Sequence, residues 1–334
     1  MRLVFMGTPD IAKTCLQKLC EGGYEVVGVY TKPDTPKNRG MKMAMSPVKE
    51  YALSREIPVY QPGSFKDEAV VEELRALEPD LIVVVAYGKL LPQNVLDLPP
   101  YGCVNMHASI LPELRGAGPV QWSILNHCTE TGVTAMYMSA GMDEGDMIEV
   151  RRTPVDPMET GAELMERLAD IAAQLACDTV DAIANGTVTR TAQDHAKATY
   201  APMLSKALSP IDWSQPLTYV IDQVRGLIPW PVATTVIQGK NFKIFRVEDA
   251  QYTTDAPAGK LLALTKKGLE IACGDGKAGR ITQLQAEGRV ICKGGMRGQM
   301  LMLMPEAGRV VAYQGCGEHN FVDFIVTYNE NPAG

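Results

Sequence analysis

The chain has 334 residues, which is enough for two or three domains, each with a core of its own. Its formal net charge of −7 argues against a protein coated uniformly in positive charge. The acidic excess belongs to residues 1–204, which carry a balance of −9, whereas residues 205–334 carry +2. A polyanion would therefore meet less repulsion at the second part of the chain.

The cysteine and histidine content argues against a metal site. The eight cysteines form no C-x-x-C pair and there are only four histidines, so we expect no zinc and no other metal. The cysteines are typical of buried free thiols in a reducing compartment. The chain begins with a strand pattern rather than a secretory signal, and no apolar run is long enough to span a bilayer. We expect a cytoplasmic protein with no membrane partner.

The first thirty residues show a strand–turn–helix–strand pattern. Residues 3–6 are a short apolar run, a tight turn follows at Gly7, and apolar residues at helical spacing over 11–19 precede a valine-rich strand over 24–30. This βαβ unit predicts an α/β fold with a Rossmann-like, mostly parallel sheet and flanking helices. The turn has one glycine where the dinucleotide fingerprint has three, so NAD binding is not supported. A phosphate resting on the amides of the helix start and a plain tight turn both stay open.

Residues 31–45 break this rhythm with a long, polar, basic loop. The loop contains four cations, which are Lys32, Lys37, Arg39 and Lys42. It is longer than the usual connection between a strand and a helix, and such loops are often functional. A surface loop without a role is the alternative. Ser46 and Pro47 then predict the start of a helix, as N-cap and first helical residue.

The strongest strand pattern of the chain covers residues 80–88. Its unbroken apolar run indicates burial on both faces. The strand leads into a turn at residues 87–92 that contains glycine and proline. Because ligands of open α/β sheets bind at the carboxyl edge of the strands, this turn is a candidate ligand site.

Asn105 and His107 lie at the end of the next predicted strand, over residues 102–106. Their spacing of two places both side chains on one face of an extended segment. An amide beside an imidazole can stabilise an oxyanion and move a proton, while a polar strand end with one satisfied histidine is the alternative. Asp143 follows the strand at 134–138 in a glycine-flanked acidic loop, and it reaches His107 if the two strands are neighbours. A solvated turn is the alternative there, and the spacing of a calcium loop is missing.

The second half of the chain changes character. Residues 163–183 have the period of a long amphipathic helix, and the polar, irregular residues 187–206 predict a linker. Closely spaced short strands with glycine turns then indicate a smaller OB-like β-barrel. These strands are predicted at 233–237, 242–247, 259–264, 268–271 and 280–285. The predicted organisation is a first domain over 1–186, the linker, and a second domain over 207–334, in which 287–334 is assigned no structure.

Short motifs follow one another along roughly the first 286 residues. They are Val4-Phe5-Met6-Gly7-Thr8-Pro9, Asn105-x-His107-x-Ser109-Ile110-Leu111-Pro112 with Arg115-Gly116 and Pro119, Met142-Asp143-x-Gly145-Asp146-Met147, Asp212-Trp213, and Arg225-Gly226-x-x-Pro229-Trp230-Pro231. In this order they resemble the folate-dependent formyltransferases. The Asn-x-His motif and the later Asp-x-Gly are typical of the whole superfamily. The Trp-Pro segment and the basic loop narrow the resemblance to the members that act on tRNA.

The resemblance implies transfer of a formyl group from 10-formyltetrahydrofolate to the amino group of methionyl-initiator tRNA, by a monomer without a metal. Carried over by motif, the catalytic residues would be Asn105, His107 and Asp143. The folate-binding residues would be Ser109, Ile110, Leu111 and Pro112 in one turn, with Gly88, Leu90 and Leu91 in another. The tRNA-binding residues would be Lys37, Arg39 and Lys42 in the basic loop, with Arg225, Lys240 and Lys243 in the second domain, which would be the tRNA-binding domain.

The nearest alternative is a formyltransferase that acts on a small amine, such as a sugar nucleotide or glycinamide ribonucleotide. The second domain and the basic loop argue against it, because a small acceptor requires neither. A folate- or RNA-binding protein without catalysis is a second alternative. The presence of all three residues Asn105, His107 and Asp143 argues against that reading.

Overall fold

The structure, a computed structural model, describes residues 1–37, 42–237 and 239–286, together with the two strands at 299–304 and 309–314. The chain divides into two compact units. The first comprises Met1–Ser123, Cys128–Pro157 and Glu163–Met203, and the second comprises Ile124–His127, Met158–Ala162 and Leu204–Gly334. Arg39 and most of the stretch 287–334 lie outside the described residues.

A seven-stranded sheet organises the first unit. In chain order the strands of this unit are β1 (Arg2–Gly7), β2 (Glu25–Tyr30), β3 (Thr35–Lys37), β4 (Lys42–Ala44), β5 (Val59–Tyr60), β6 (Leu81–Val85), β7 (Cys103–His107), β8 (Arg115–Gly116), β9 (Glu130–Tyr137), β10 (Met147–Pro154) and β11 (Tyr200–Ala201). The main sheet has the order β10-β9-β7-β6-β1-β2-β5. Strands β1, β2, β5, β6 and β7 are parallel, whereas β9 and β10 add in antiparallel fashion. The predicted α/β fold class is confirmed.

Helices flank this sheet. Up to residue 184 they are α1 (Asp10–Glu21), α2 (Pro47–Ser54), α3 (Glu68–Arg75), α4 (Gln93–Leu96), α5 (Pro119–Leu125) and α6 (Gly161–Ala184). The predicted apolar face of α1 is buried, and Ser46 caps α2 by accepting a hydrogen bond from the backbone N–H of Lys49. All residues of β6 are buried, as its unbroken apolar run predicts. No helix in the described part of the chain is both long and apolar enough to cross a membrane.

The thiols of the described cysteines are free, and several are buried. Burial raises the pKa of the Cys103 thiol to about 12 and that of Cys273 to about 11. Both thiols therefore stay protonated and unreactive near neutral pH, and they serve as small apolar groups in the two cores.

An antiparallel sheet of five strands organises the second unit. Its elements are α7 (Leu217–Gly226), β12 (Ala233–Ile237), β13 (Lys240–Thr253), β14 (Leu261–Thr265), β15 (Gly268–Ala272) and β16 (Lys277–Ala286), and the hairpin β17 (Gln299–Met304) and β18 (Arg309–Gln314) lies beyond. The strand order is β12-β13-β16-β15-β14. One face of α7 shares a core with Trp213, Phe242 and Ile281. Each predicted strand of this region has a counterpart, and β13 and β16 are longer than predicted.

The basic loop and the predicted linker both contain regular structure that the sequence does not predict. The basic loop forms an antiparallel hairpin of β3 and β4, with the undescribed residues 38–41 between them. The stretch predicted as a linker contributes β11, which pairs in parallel with β8, and Thr191, which bridges to Met147. Residues up to Met203 therefore belong to the first unit, and the second begins at Leu204.

Candidate active site

The candidate site is built on the carboxyl end of β7. This strand lies between β6, which is parallel to it, and β9, which is antiparallel. Asn105 lies opposite Val84 on one side and Met136 on the other, and His107 lies opposite Thr134. His107 is only 6% exposed, whereas Asn105 is half-buried. A buried strand end thus fixes the backbone of both residues.

One ring nitrogen of His107 is hydrogen-bonded to the backbone. Its Nε2 lies 2.9 Å from the carbonyl oxygen of Leu114. Because a carbonyl only accepts, Nε2 carries the hydrogen of this bond. The other nitrogen, Nδ1, faces Oδ2 of Asp143 at 3.7 Å, which is longer than a direct hydrogen bond. Nδ1 is therefore the ring atom left for chemistry.

Asp143 is held by the backbone of β8. Its Oδ2 accepts a hydrogen bond of 2.8 Å from the N–H of Gly116. The residue has a φ of 51°, in the left-handed region that few residues other than glycine adopt. Strands β7 and β9 are neighbours, as the reach of Asp143 to His107 requires. Among the described residues, no group of three or more His, Cys, Asp or Glu side chains is arranged to hold a metal ion.

The turn after β7 is closed by hydrogen bonds. Ser109 is buried and donates its hydroxyl to the carbonyl of Glu113 at 2.6 Å. The hydroxyl of Thr134, on β9, donates to the carbonyl of Ser109 at 2.7 Å and accepts from the N–H of Leu111 at 3.1 Å. Leu111 is buried and its peptide bond to Pro112 is cis, while Ile110 is half-buried. The hydrogen bonds of Ser109 and Thr134 thus close the turn beside His107.

The turn after β6 offers one exposed and one buried leucine. Leu90 is 76% exposed, whereas Leu91 is 5% exposed and belongs to the core of the unit. Gly88 has a φ of 73°, and the ammonium of Lys32 occupies the space that a side chain at Gly88 would need. Burial, with a smaller effect of Lys32, lowers the pKa of Lys89, whose ammonium donates to the carbonyl of Gly63. Only glycine fits this turn without displacing Lys32.

Comparison with known proteins identifies the family. A model described as formyl transferase matches residues 1–180, and one described as formyl transferase, C-terminal domain, matches residues 203–297. The chain belongs to the formyl transferase family. Members of this family use a formyl-tetrahydrofolate as the donor of the formyl group.

Relatives of this formyl transferase cover most of its length. The methionyl-tRNA formyltransferase of Alkaliphilus oremlandii is 44% identical over 274 residues, which are 82% of this chain and 88% of that protein. The enzyme of the same name from Acetivibrio thermocellus is 47% identical over 279 residues, 83% of this chain and 89% of that protein. The solved N-formyltransferase of Helicobacter canadensis, in complex with folinic acid and dTDP-3-aminofucose, has a TM-score of 0.66 at 19% identity. It covers 84% of this chain and 98% of that one, and it shows the fold alone.

The residues predicted to bind tRNA in this formyl transferase differ in position and in solvent exposure. The backbone of the hairpin places Lys37 opposite Lys42, and Arg39 lies outside the described residues. Lys240 is exposed and Lys243 is half-buried, and their spacing of three puts them on opposite faces of β13.

Arg225 differs from the other predicted tRNA contacts because it is buried and engaged. Its Nε lies 2.6 Å from Oδ1 of Asp222, and its Nη1 donates to the carbonyl of Glu159 at 2.8 Å. The guanidinium therefore ties parts of the second unit together. A phosphate would have to displace these partners, so the direct tRNA contact predicted for Arg225 is disfavoured by its geometry.

Sequence reasoning assigned no role to two residues around Asp143. The side-chain amide of Gln193 donates to the carbonyls of Asp143 and Gly145, at 2.9 and 2.8 Å. The oxygen of the same amide accepts from Arg115, whose side chain is buried. Arg115 stands in a family motif, which is a signal, but Gln193 lies in the segment predicted as a linker, and no sequence pattern marks it.

Proposed function

We propose that this formyl transferase carries the formyl group of 10-formyltetrahydrofolate to the α-amino group of methionyl-initiator tRNA, for translation initiation. The observation that carries the proposal is the placement of Asn105, His107 and Asp143 around one strand end, with one ring nitrogen of His107 left uncommitted. The relatives named methionyl-tRNA formyltransferase, at 44% and 47% identity, support the acceptor.

Asn105 is the proposed oxyanion donor. When the amine attacks the formyl carbon, negative charge develops on the formyl oxygen of a tetrahedral intermediate. Within the described residues, the side chain of Asn105 makes no hydrogen bond, so its N–H groups are free for a ligand oxygen. A preorganised donor of this kind contributes about 2.7–4 kcal/mol to lowering the barrier.

His107 and Asp143 are the proposed proton-handling pair. The new C–N bond forms to the amine, the bond from the formyl carbon to N10 breaks, and the proton of the attacking amine ends on N10. Nδ1 of His107 is the ring atom placed to take part, because Nε2 is held by Leu114. The carboxylate of Asp143 faces this atom at 3.7 Å and can orient the ring or accept the proton in transit. None of these steps requires a metal.

The two turns are the proposed donor site. Ser109 to Pro112 form a closed turn next to His107, and Gly88, Leu90 and Leu91 form the turn after the adjacent strand β6. Both turns lie at the carboxyl edge of parallel strands, where α/β sheets bind ligands. The exposed side chain of Leu90 supplies apolar surface for an aromatic ring of the folate.

The basic hairpin and the second unit are the proposed tRNA-binding parts. We assign catalysis to the first unit, which extends the predicted domain 1–186 through most of the predicted linker 187–206 to Met203, and tRNA binding to the second unit, in a monomeric cytoplasmic enzyme. Lys37, Arg39 and Lys42 on the hairpin, with Lys240 and Lys243 on β13, would contact phosphates, and Arg225 would support them from within the second unit. Binding through such contacts weakens as salt concentration rises.

One assay tests the proposed function. Purified protein is incubated with 10-formyltetrahydrofolate and methionyl-initiator tRNA, and in parallel with methionyl-elongator tRNA, free methionine and an amino-sugar nucleotide. We expect formyl incorporation into the initiator tRNA far above the other acceptors. Preferred formylation of the amino sugar would favour the small-amine alternative. Folate binding without transfer to any acceptor would favour a binding protein.

A further inference from the structure

A closed ring of hydrogen bonds surrounds Asp143. The carbonyl of Asp143 accepts from the amide of Gln193, and the amide oxygen of Gln193 accepts from Nε and Nη2 of Arg115 at 3.1 and 2.7 Å. The next residue, Gly116, donates its N–H to the carboxylate of Asp143. Arg115 and Gly116 thus hold both ends of Asp143, one through Gln193 and one directly.

The Gln193 amide has only one workable orientation. Its NH₂ group meets two acceptors, the carbonyls of Asp143 and Gly145, and its oxygen meets the guanidinium of Arg115. A flipped amide would place oxygen against two carbonyls and NH₂ against a cation. The donor and acceptor pattern therefore fixes the side chain, and a charged donor on the oxygen strengthens the two bonds that the nitrogen makes.

The guanidinium of Arg115 has neutral partners in this ring. The residue is 2% exposed, and its acceptors are the oxygen of Gln193 and Nδ1 of His195. Among the residues that the structure describes, no carboxylate pairs with it. The charged guanidinium therefore donates hydrogen bonds to the amide oxygen of Gln193 and, within the described part of the chain, is not paired with a carboxylate.

The backbone of Asp143 needs this support. A φ of 51° is uncommon for residues other than glycine, and although aspartate tolerates it better than most, hydrogen bonds that hold this backbone help to maintain it. Gln193 bonds to the carbonyls of Asp143 and Gly145, which flank the tight part of the loop. The two bonds fix the peptide planes from which the Asp143 carboxylate projects toward Nδ1 of His107.

We infer that Gln193 is a positioning residue for formyl transfer, which fixes the carboxylate of Asp143 opposite His107 through a bridge from Arg115. The inference rests on the proposed function of Asp143. The side-chain hydrogen bonds of Gln193 are made with Arg115, Asp143 and Gly145. We therefore expect Gln193 to act on the chemical step and to leave both binding sites in place.

The variant Gln193→Glu separates positioning from structural support. It preserves size and gives Arg115 a carboxylate partner, but it removes both N–H donors from the carbonyls of Asp143 and Gly145. We expect kcat to fall about 100-fold, as a misplaced catalytic group causes, with the KM for folate and for tRNA each changed by less than about twofold. Folate binding is expected to match the wild type. The protein should stay folded with a modestly lower melting temperature, because the carbonyls of Asp143 and Gly145 lose their donor. Gln174→Glu, an exposed glutamine on α6, is the matched control and should keep full activity.

The double variant shows whether Gln193 acts through Asp143. If it does, Asp143→Asn combined with Gln193→Glu is no slower than Asp143→Asn alone, because the second change has nothing left to position. Multiplied losses, or wild-type kcat in Gln193→Glu, would overturn this inference while leaving the proposed function intact. Full activity of Asp143→Asn would instead overturn the catalytic assignment on which both rest. A loss of folded protein in Gln193→Glu would show that the role is structural, and would also overturn the inference.

Discussion

The candidate catalytic centre, comprising Asn105, His107 and Asp143, differs from the basic hairpin of β3 and β4 in how it is held. His107 is buried, and the carboxylate of Asp143 is fixed by a backbone N–H. At the base of the hairpin, the described contacts are those of the partly exposed Asp34, which lies 2.7 Å from the ammonium of Lys49 and accepts a hydrogen bond of 2.9 Å from Gln61. Chemistry requires atoms placed to within fractions of an ångström, whereas attraction of a polyanion requires only charge in the right region. Substitutions at the centre should therefore change kcat strongly, and substitutions in the hairpin should change tRNA affinity mildly.

The largest effect is expected from Asn105→Ala and His107→Ala. Each removes a group proposed to meet the reacting atoms, so we expect kcat to fall about 10²- to 10³-fold while folate binding persists. Single-turnover formylation and folate titration measure the two quantities. Asn185→Ala, an exposed asparagine at the end of α6, is the matched control. Wild-type rates in both site variants would remove the catalytic assignment.

Thr134→Val should have the next largest effect, on the turn that borders the centre. The change keeps the shape but leaves the buried N–H of Leu111 without its acceptor, at a cost of about 1–3 kcal/mol in unfolding free energy. We expect a lower melting temperature and a raised KM for folate. The control is Thr179→Val, because the buried hydroxyl of Thr179 has no hydrogen-bond partner in the described part of the chain and its loss should be neutral or stabilising. Equal effects of the two changes would show that the Thr134 bonds do not hold the turn.

On the hairpin, Arg39→Ala should act on tRNA alone. Loss of one phosphate contact should raise the KM for tRNA a few-fold and reduce the slope of log affinity against log salt by about 1, with folate affinity unchanged. Titration with tRNA at several salt concentrations measures both. Arg75→Ala, an exposed arginine on α3, controls for the loss of one positive charge. An unchanged tRNA KM would argue against a role of the hairpin.

The site contains residues that local sequence patterns reveal and residues that only the fold reveals. Asn105 and His107 are found from sequence because their period-two spacing at a strand end is a local signal and because the motif around them resembles that of a known family. Gln193 is missed because its importance depends on Asp143 and Arg115, which are 50 and 78 positions away. The burial of Arg225 is missed for the same reason, since its partner carbonyl in Glu159 is 66 residues away. Elements and their order follow from local patterns, while the supports of a site arise from contacts that only the fold creates.

The smallest effect is expected at the anchor of the hairpin. The hydrogen bond from Lys49, and then that from Gln61, lowers the pKa of the Asp34 carboxyl below its ordinary range. A carboxyl with a lowered pKa in the folded state stabilises that state above its unfolded pKa, and the contribution is lost as pH falls through the folded value. Asp34→Asn should therefore lower the unfolding midpoint by about 1–3 °C at pH 7 and at pH 5, and this difference should shrink as the pH falls below the ordinary range of an aspartate. Thermal melts of both proteins at these pH values measure the difference, with Asp170→Asn on α6 as the exposed control. A difference that stays constant as the pH is lowered through this acid range would show that Asp34 supports the hairpin through shape rather than charge. The tRNA KM of the same variant would then report whether the hairpin needs a fixed base.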